Sequence, residues 1–118
     1  MSRLSLRIDM APDRRIGPGK IALLEHIRST GSISAAGRAM NMAYRRAWLL
    51  VDELNRMFCE PVVTTKLGGA AGGGAALTPF GERLVVAYRD MEMLADQAVR
   101  PHLTALEAAA RPEVRSRS

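Results

Sequence analysis

Tyr44, Arg45 and Arg46 stand together inside the run Gly31–Phe58, which reads GSISAAGRAMNMAYRRAWLLVDELNRMF. A guanidinium is always charged and presents a planar fork of N–H donors. That fork matches a phosphate, or the O6/N7 edge of guanine in a DNA major groove. Ala47, Val51, Leu54 and Phe58 recur at helical spacing and make one apolar stripe, so a helix is expected from about Tyr44 to Phe58. The two arginines then occupy its first turn, at the positive end of the helix dipole, where cations are unfavourable. A helix shaped only for stability would carry Asp or Glu there. Local rules tend to fail at functional sites, and a helix that reads DNA needs donors in its first turn. The plain alternative is two solvated arginines on a surface helix.

What must position this pair is the stretch before it. Ile33–Met40 reads as a short helix, with Ser32 placed to cap its exposed N–H groups. Asn41-Met42-Ala43 forms the turn, and Asn41 tolerates the left-handed conformation that ends a helix. Small Ala35 and Ala36 would let the two helices cross closely. Short helix, three-residue turn and longer helix make a helix-turn-helix outline.

The flanking elements complete a small domain. Leu4 to Asp9 alternates apolar and polar residues, as a half-buried strand does, and Ala11 to Pro18 reads as a loop. Arg14 and Arg15 in that loop would either lie near a phosphate backbone or simply be solvated. Gly19 to Thr30 forms a first helix with Ile21, Leu24 and Ile27 inward and Leu23 flanking, stopped at Gly31. Val62 to Leu67 reads as a strand, Gly68 to Gly74 as a glycine-rich tip, and Ala75-Ala76-Leu77 as the return strand. A hairpin after a helix-turn-helix is the wing of a winged-helix domain.

Thr78 and Pro79 suit the cap and first position of a last, long helix. In it Leu84, Tyr88, Met91, Ala95 and Ala98 fall at four-three-four-three spacing, a heptad seam. Packing onto the chain's own core would serve equally well for the first two turns; beyond them a partner helix is favoured. Pro101 should kink or restart the helix. Leu103 and Leu106 continue an apolar face to about Ala110, and Arg111 to Ser118 should fray.

At 118 residues one domain is expected. The formal net charge is +5, and its distribution matters more than its sum. Residues 1–81 hold 11 basic and 6 acidic side chains, while residues 82–118 hold 6 of each. A basic unit followed by a neutral helix points to a polyanion on one side and a protein contact on the other. No run approaches ~18 apolar residues, and the N-terminus lacks the apolar core of a secretory signal, so a cytoplasmic location is expected. Cys59, the single cysteine, should pack as a small hydrophobe. His26 and His102 are far apart and have no companions at metal-ligand spacing, so no metal site is expected. The tip GGAAGGG matches neither phosphate-binding glycine motif, and the lysine of a P-loop is missing. With no cofactor loop, no clustered Cys/His set and no nucleophile–base pair, neither a cofactor nor an enzyme is expected.

The runs SISAAGRAMNMAYRRAWLLVDELN and GGAAGGGAALTPFGERL resemble the N-terminal DNA-binding domain of ModE, the bacterial molybdate-responsive transcriptional regulator, itself related to the LysR-type winged helix. The resemblance implies a bacterial, dimeric winged helix that binds operator DNA. It implies that Tyr44, Arg45 and Arg46 start the recognition helix and that Trp48 packs inward. The chain departs from the family at three points. Ala43 stands at a capping position where Ser is usual. Ala70-Ala71 stands where the wing usually carries a cation. The family's C-terminal oxyanion-binding modules do not follow the long helix, so a stand-alone DNA-binding domain is expected, with direct molybdate binding not expected.

The fold expected is therefore mainly α with a small β-sheet: a winged helix-turn-helix over 1–81, a dimerisation helix over 82–110 and a disordered tail over 111–118. Double-stranded DNA would be met by Ser32, Ser34 and Arg38 on phosphates. Tyr44, Arg45 and Arg46 would approach base edges or flanking phosphates, and Lys66, Gly69, Gly72 and Gly73 would lie along the backbone. Leu84, Tyr88, Met91, Ala95 and Ala98 would face a second copy in a homodimer. The rival is a winged-helix protein-interaction module that has lost DNA binding, favoured by the missing cap and wing cation.

Overall fold

The computed structural model describes residues 2–66 and 74–112. Chain order gives strands β1 (Ile8–Ala11) and β2 (Arg14–Ile16), then helices α1 (Pro18–Thr30), α2 (Ile33–Ala39) and α3 (Tyr44–Met57). Strands β3 (Val63–Lys66) and β4 (Gly74–Leu77) and helix α4 (Pro79–Ala109) follow. The molecule is mainly helical, with two separate antiparallel two-stranded sheets, β1–β2 and β3–β4.

Ile21, Leu23, Leu24 and Ile27 of α1 are fully buried and form the centre of the core. Ala47, Leu50, Val51, Leu54 and Met57 of α3 pack on them, so the apolar stripe expected there is present and wider, while Phe58 is only half-buried. Gly31 ends α1 in the left-handed region (φ 73°), and its N–H donates to the Ile27 carbonyl at 2.8 Å. The Gly31 carbonyl in turn accepts from Ala75 N–H at 2.9 Å, which ties β4 to the end of α1.

The N-terminal region differs from expectation. The alternation of Leu4 to Asp9 is seen in the burial pattern, but the ladder begins only at Ile8. Its partner β2 lies in the stretch expected to be loop, pairing Ile8 with Ile16 and Asp9 with Arg15, with a bulge after Asp9. Residues 2–7 instead run along α4. The Ser2 N–H donates to the Glu107 carboxylate, Arg100 reaches the Ser2 carbonyl, and the Tyr88 hydroxyl donates to the Leu6 carbonyl. Period-two burial marks any extended segment lying on a surface, paired in a ladder or not.

Helix α4 is one element of 31 residues, running on through Pro101, with Thr78 as its cap: Thr78 Oγ1 accepts from Gly81 N–H at 2.9 Å. Only Gly81, Val85 and Tyr88 of α4 are buried, all in its first third. Tyr88 is fully enclosed in the chain's own core, and Leu84 packs against that core, so these two of the five seam residues face inward rather than toward a partner. Cys59 is exposed, not packed, because it follows the end of α3 where the chain turns outward.

Between α1 and α4 lies a fork-on-fork ion pair. Arg89 donates to both Glu25 oxygens, at 2.9 and 2.6 Å, and to Glu92 at 2.6 Å. These hydrogen bonds hold the Glu25 carboxyl below the ordinary carboxylate range, against the opposing effect of partial desolvation. A lowered carboxylate pKa contributes stability that is present above the unfolded value and lost as pH falls through the folded one. Glu25→Gln should therefore lower stability at neutral pH by no more than about 1 kcal/mol, because water screens so exposed a pair. It should also flatten the loss of stability on acidification. Melting curves of both proteins across the carboxylate range check this; parallel acid limbs would contradict it.

Candidate nucleic-acid interface

Helices α2 and α3 meet through the turn at Met40–Ala43. Asn41 takes the left-handed conformation (φ 54°), as its side chain allows. The close crossing is made by Gly37 rather than by Ala35 and Ala36: a Cβ on Gly37 would lie 3.0 Å from that of Ala47. Ala36 is buried beside it, while Ala35 remains half-buried. Ser32 caps α2, its Oγ accepting from Ala35 N–H at 3.0 Å. That leaves the hydroxyl hydrogen of Ser32 to donate outward. Ser34 is half-buried and Arg38 exposed.

Ala43 precedes α3 in an extended conformation and supplies no side-chain cap. The Arg46 N–H turns back to the Ala43 carbonyl at 3.0 Å, no side chain caps the N–H groups of Tyr44 and Arg45, and the first turn contains no acid. A cap residue there would typically add ~1 kcal/mol. Tyr44, Arg45 and Arg46 are all exposed at this terminus. Among the described residues neither arginine forms an ion pair, although seven of the eleven other described arginines do.

Trp48 was expected to pack inward and does not. It is 39% exposed, and its ring meets Tyr44 edge-on, with centroids 6.2 Å apart. Leu49 is 51% exposed on the other side of Arg45. Neither residue is picked out by apolar periodicity, which assigns large hydrophobic residues to the core. The signal available in the sequence is that both fall off the stripe Ala47–Val51–Leu54.

The hairpin β3–β4 is fixed to α3 by Asn55. Its Oδ1 accepts from Val62 N–H (2.7 Å) and Val63 N–H (3.0 Å), and its Nδ2 donates to the Val63 carbonyl (3.1 Å). Lys66 is exposed at the far end of β3. Gly69, Gly72 and Gly73, expected on the DNA backbone, lie outside the described residues, as do Ala70 and Ala71.

A second basic region lies between the β1–β2 hairpin and the end of α3, a cleft of about 590 Å³. Arg14, Arg15, Lys20 and Arg56 line it with Asp13 and Glu53. Three of its four cations are paired: Lys20 with Glu53 at 3.4 Å, Arg15 with Asp9 at 3.8 Å, and Arg56 with Asp52. Among the described residues there is no group of three or more potential metal ligands, and no helix is long and apolar enough to cross a membrane.

Most of the chain is shared with known proteins. Over 78 residues the chain is 50% identical to the molybdenum-pterin-binding protein MopB of Rhodobacter capsulatus, covering 66% of this chain and 29% of that protein. Over 93 residues it is 37% identical to the molybdenum transport protein ModE of Azotobacter vinelandii, covering 79% and 34%. Over 71 residues it is 39% identical to the DNA-binding transcriptional dual regulator ModE of Escherichia coli K12, covering 60% and 27%. The matched segment spans about a third of the length of these curated relatives. The chain is ModE-like over that segment, and relatives of it are transcriptional regulators. No family model matches the chain.

Proposed function

We propose that this chain is a winged helix-turn-helix that binds double-stranded DNA as a homodimer and regulates transcription, with α3 as the recognition helix and β3–β4 as the wing. The observation that carries this reading is the first turn of α3: two exposed arginines without ion-pair partners, on a helix end with no cap and no acid. A polyanion supplies what that terminus lacks, a negative charge for its arginines and acceptors for its N–H groups. A ModE relative whose name records DNA binding supports the same reading. The role calls for neither catalysis nor a cofactor, and it places the protein in the cytoplasm.

Molybdenum appears in the names of relatives of which the chain matches about a third. The proposed role of these residues does not involve it, and three of the four cations lining the basic cleft are paired with carboxylates.

Dimerisation would use the outer face of α4. From Arg89 to Ala109 nothing is fully buried, a length of ~30 Å. Ala87, Met91, Leu94 and Ala98 keep the four-three-four spacing on the side facing away from the core. Met91 is 40% and Leu94 61% exposed. This seam keeps Met91 and Ala98 and replaces the inward-facing Leu84 and Tyr88; half-buried Ala95 flanks it.

Two outcomes are expected. Arg45→Ala and Arg46→Ala should each leave folding intact. At least one should cost ~1–3 kcal/mol on a selected operator while sparing a scrambled duplex. Titration of both duplexes at two salt concentrations measures this; variants that bind every duplex as wild type does would hand α3 to a protein partner instead. Separately, Leu94→Lys should shift sedimentation from dimer to monomer, because the seam would bury an unpaired cation. An unchanged dimer would place the interface elsewhere.

A further inference from the structure

Apart from Met10, the large apolar side chains exposed among the described residues fall on two elements: α4, and the first half of α3. Of the α4 set, Met91 and Leu94 belong to the proposed dimer seam, while Val86, Met93 and Leu106 are spread singly along the helix. The α3 set, Tyr44 (59% exposed), Trp48 and Leu49, is unaccounted for, because arginine–DNA contacts leave it idle. A single exposed Leu needs no explanation, but three such side chains within two turns do.

Their placement is ordered. Residues four apart on a helix lie one above the other, so Tyr44–Trp48 and Arg45–Leu49 form two adjacent rows. Arg45 is therefore followed, one turn on, by an aromatic ring on one side and a branched aliphatic group on the other. The aromatic row is braced by its edge-on contact at 6.2 Å, which limits how far either ring can swing. The acids of the helix come later: Asp52 and Glu53 are engaged with Arg56 and Lys20. The stretch from Tyr44 to Leu49 is thus cationic and apolar, without an acid, and rises ~7.5 Å, about two base-pair steps.

A DNA major groove offers one apolar feature on its base edges, the C5-methyl group of thymine. We infer that Trp48 and Leu49 are specificity-determining residues that read thymine methyl groups next to the base contacted by Arg45. The inference rests on the proposed DNA-binding function and adds to it the base class that the half-site must contain. A protein partner would have to match exposed arginines and an apolar patch at once, and is the alternative outcome.

The test begins with a tight-binding duplex selected from a random library with the full chain. Each thymine is then replaced, one at a time, by deoxyuridine, which removes the methyl group and leaves base pairing unchanged. Wild-type protein should lose affinity about four-fold at one or two positions per half-site, which corresponds to about 0.8 kcal/mol per buried methyl. Leu49→Ala and Trp48→Ala, shown to melt as wild type does, should bind the thymine and deoxyuridine duplexes equally at those positions. Leu49 is the safer variant, since its side chain is half in solvent already. If wild type binds a selected duplex tightly but every deoxyuridine replacement is silent, the methyl reading is wrong and DNA binding stands. If both variants keep the full sensitivity, other residues read the methyl groups and the assignment is overturned. If no duplex is selected at all, the DNA-binding function falls, and this inference with it.

Discussion

The backbone of Val62 is the point on which the arrangement of α3, β3 and α4 depends. Its N–H is taken by Asn55 of α3 at 2.7 Å, and its carbonyl by the Thr78 N–H that precedes α4, at 2.9 Å. Its side chain is fully buried. Gly81 of α4 presses so close that any Cβ there would overlap the Val62 carbonyl oxygen. Thr78 adds a hydroxyl bond to the Pro61 carbonyl at 2.7 Å, and Phe58 packs on Phe80 with ring centroids 5.0 Å apart. One residue thus fixes α3, the base of β3 and the start of α4 relative to one another. In the proposed dimer built on α4, that same residue would set the separation and angle of the two α3 helices.

Against this rigid junction stands the first turn of α3, where the local energetics run the other way. Two cations at a positive helix end, with Ala where a cap would be, and apolar rings held in water are each mildly unfavourable in the free protein. A DNA groove would relieve all of them together: phosphate and base acceptors for the arginines and free N–H groups, methyl groups for the apolar side chains. The rest of α3 follows the ordinary rules, with its buried stripe intact and its acids paired. The unfavourable features are therefore local to one surface, as expected where function sets residue choice.

Much of this was legible in the sequence because its signals are local. Capping by Ser32 and Thr78, the left-handed Asn41, the stop at Gly31 and the stripe on α3 each follow from a residue's own backbone chemistry or from helical period. What was not legible depends on contacts between segments distant in the chain. Strand β2 is short and rich in arginine, so nothing local marks it; it is defined by pairing with β1. Residues 2–7 alternate because they lie along α4, which no pattern within them reveals. Leu84 and Tyr88 of the expected seam share the heptad spacing with outward residues, and only the packed body shows which of them the core has already taken. Trp48 was assigned inward by family resemblance, while its place beside Tyr44 leaves it part-exposed.

The central claim is that duplex DNA docks on α2 and the first half of α3. It is tested most directly by following backbone amide NMR signals as a random duplex is added at low salt. The largest shifts are expected at Ser32 to Arg38 and Tyr44 to Leu49, with the later residues Asp52 to Met57 little changed, and all shifts should fade as salt is raised. Shifts confined to the outer face of α4 or to the cleft at Arg14, Lys20 and Arg56 would contradict the claim, as would no shift at all.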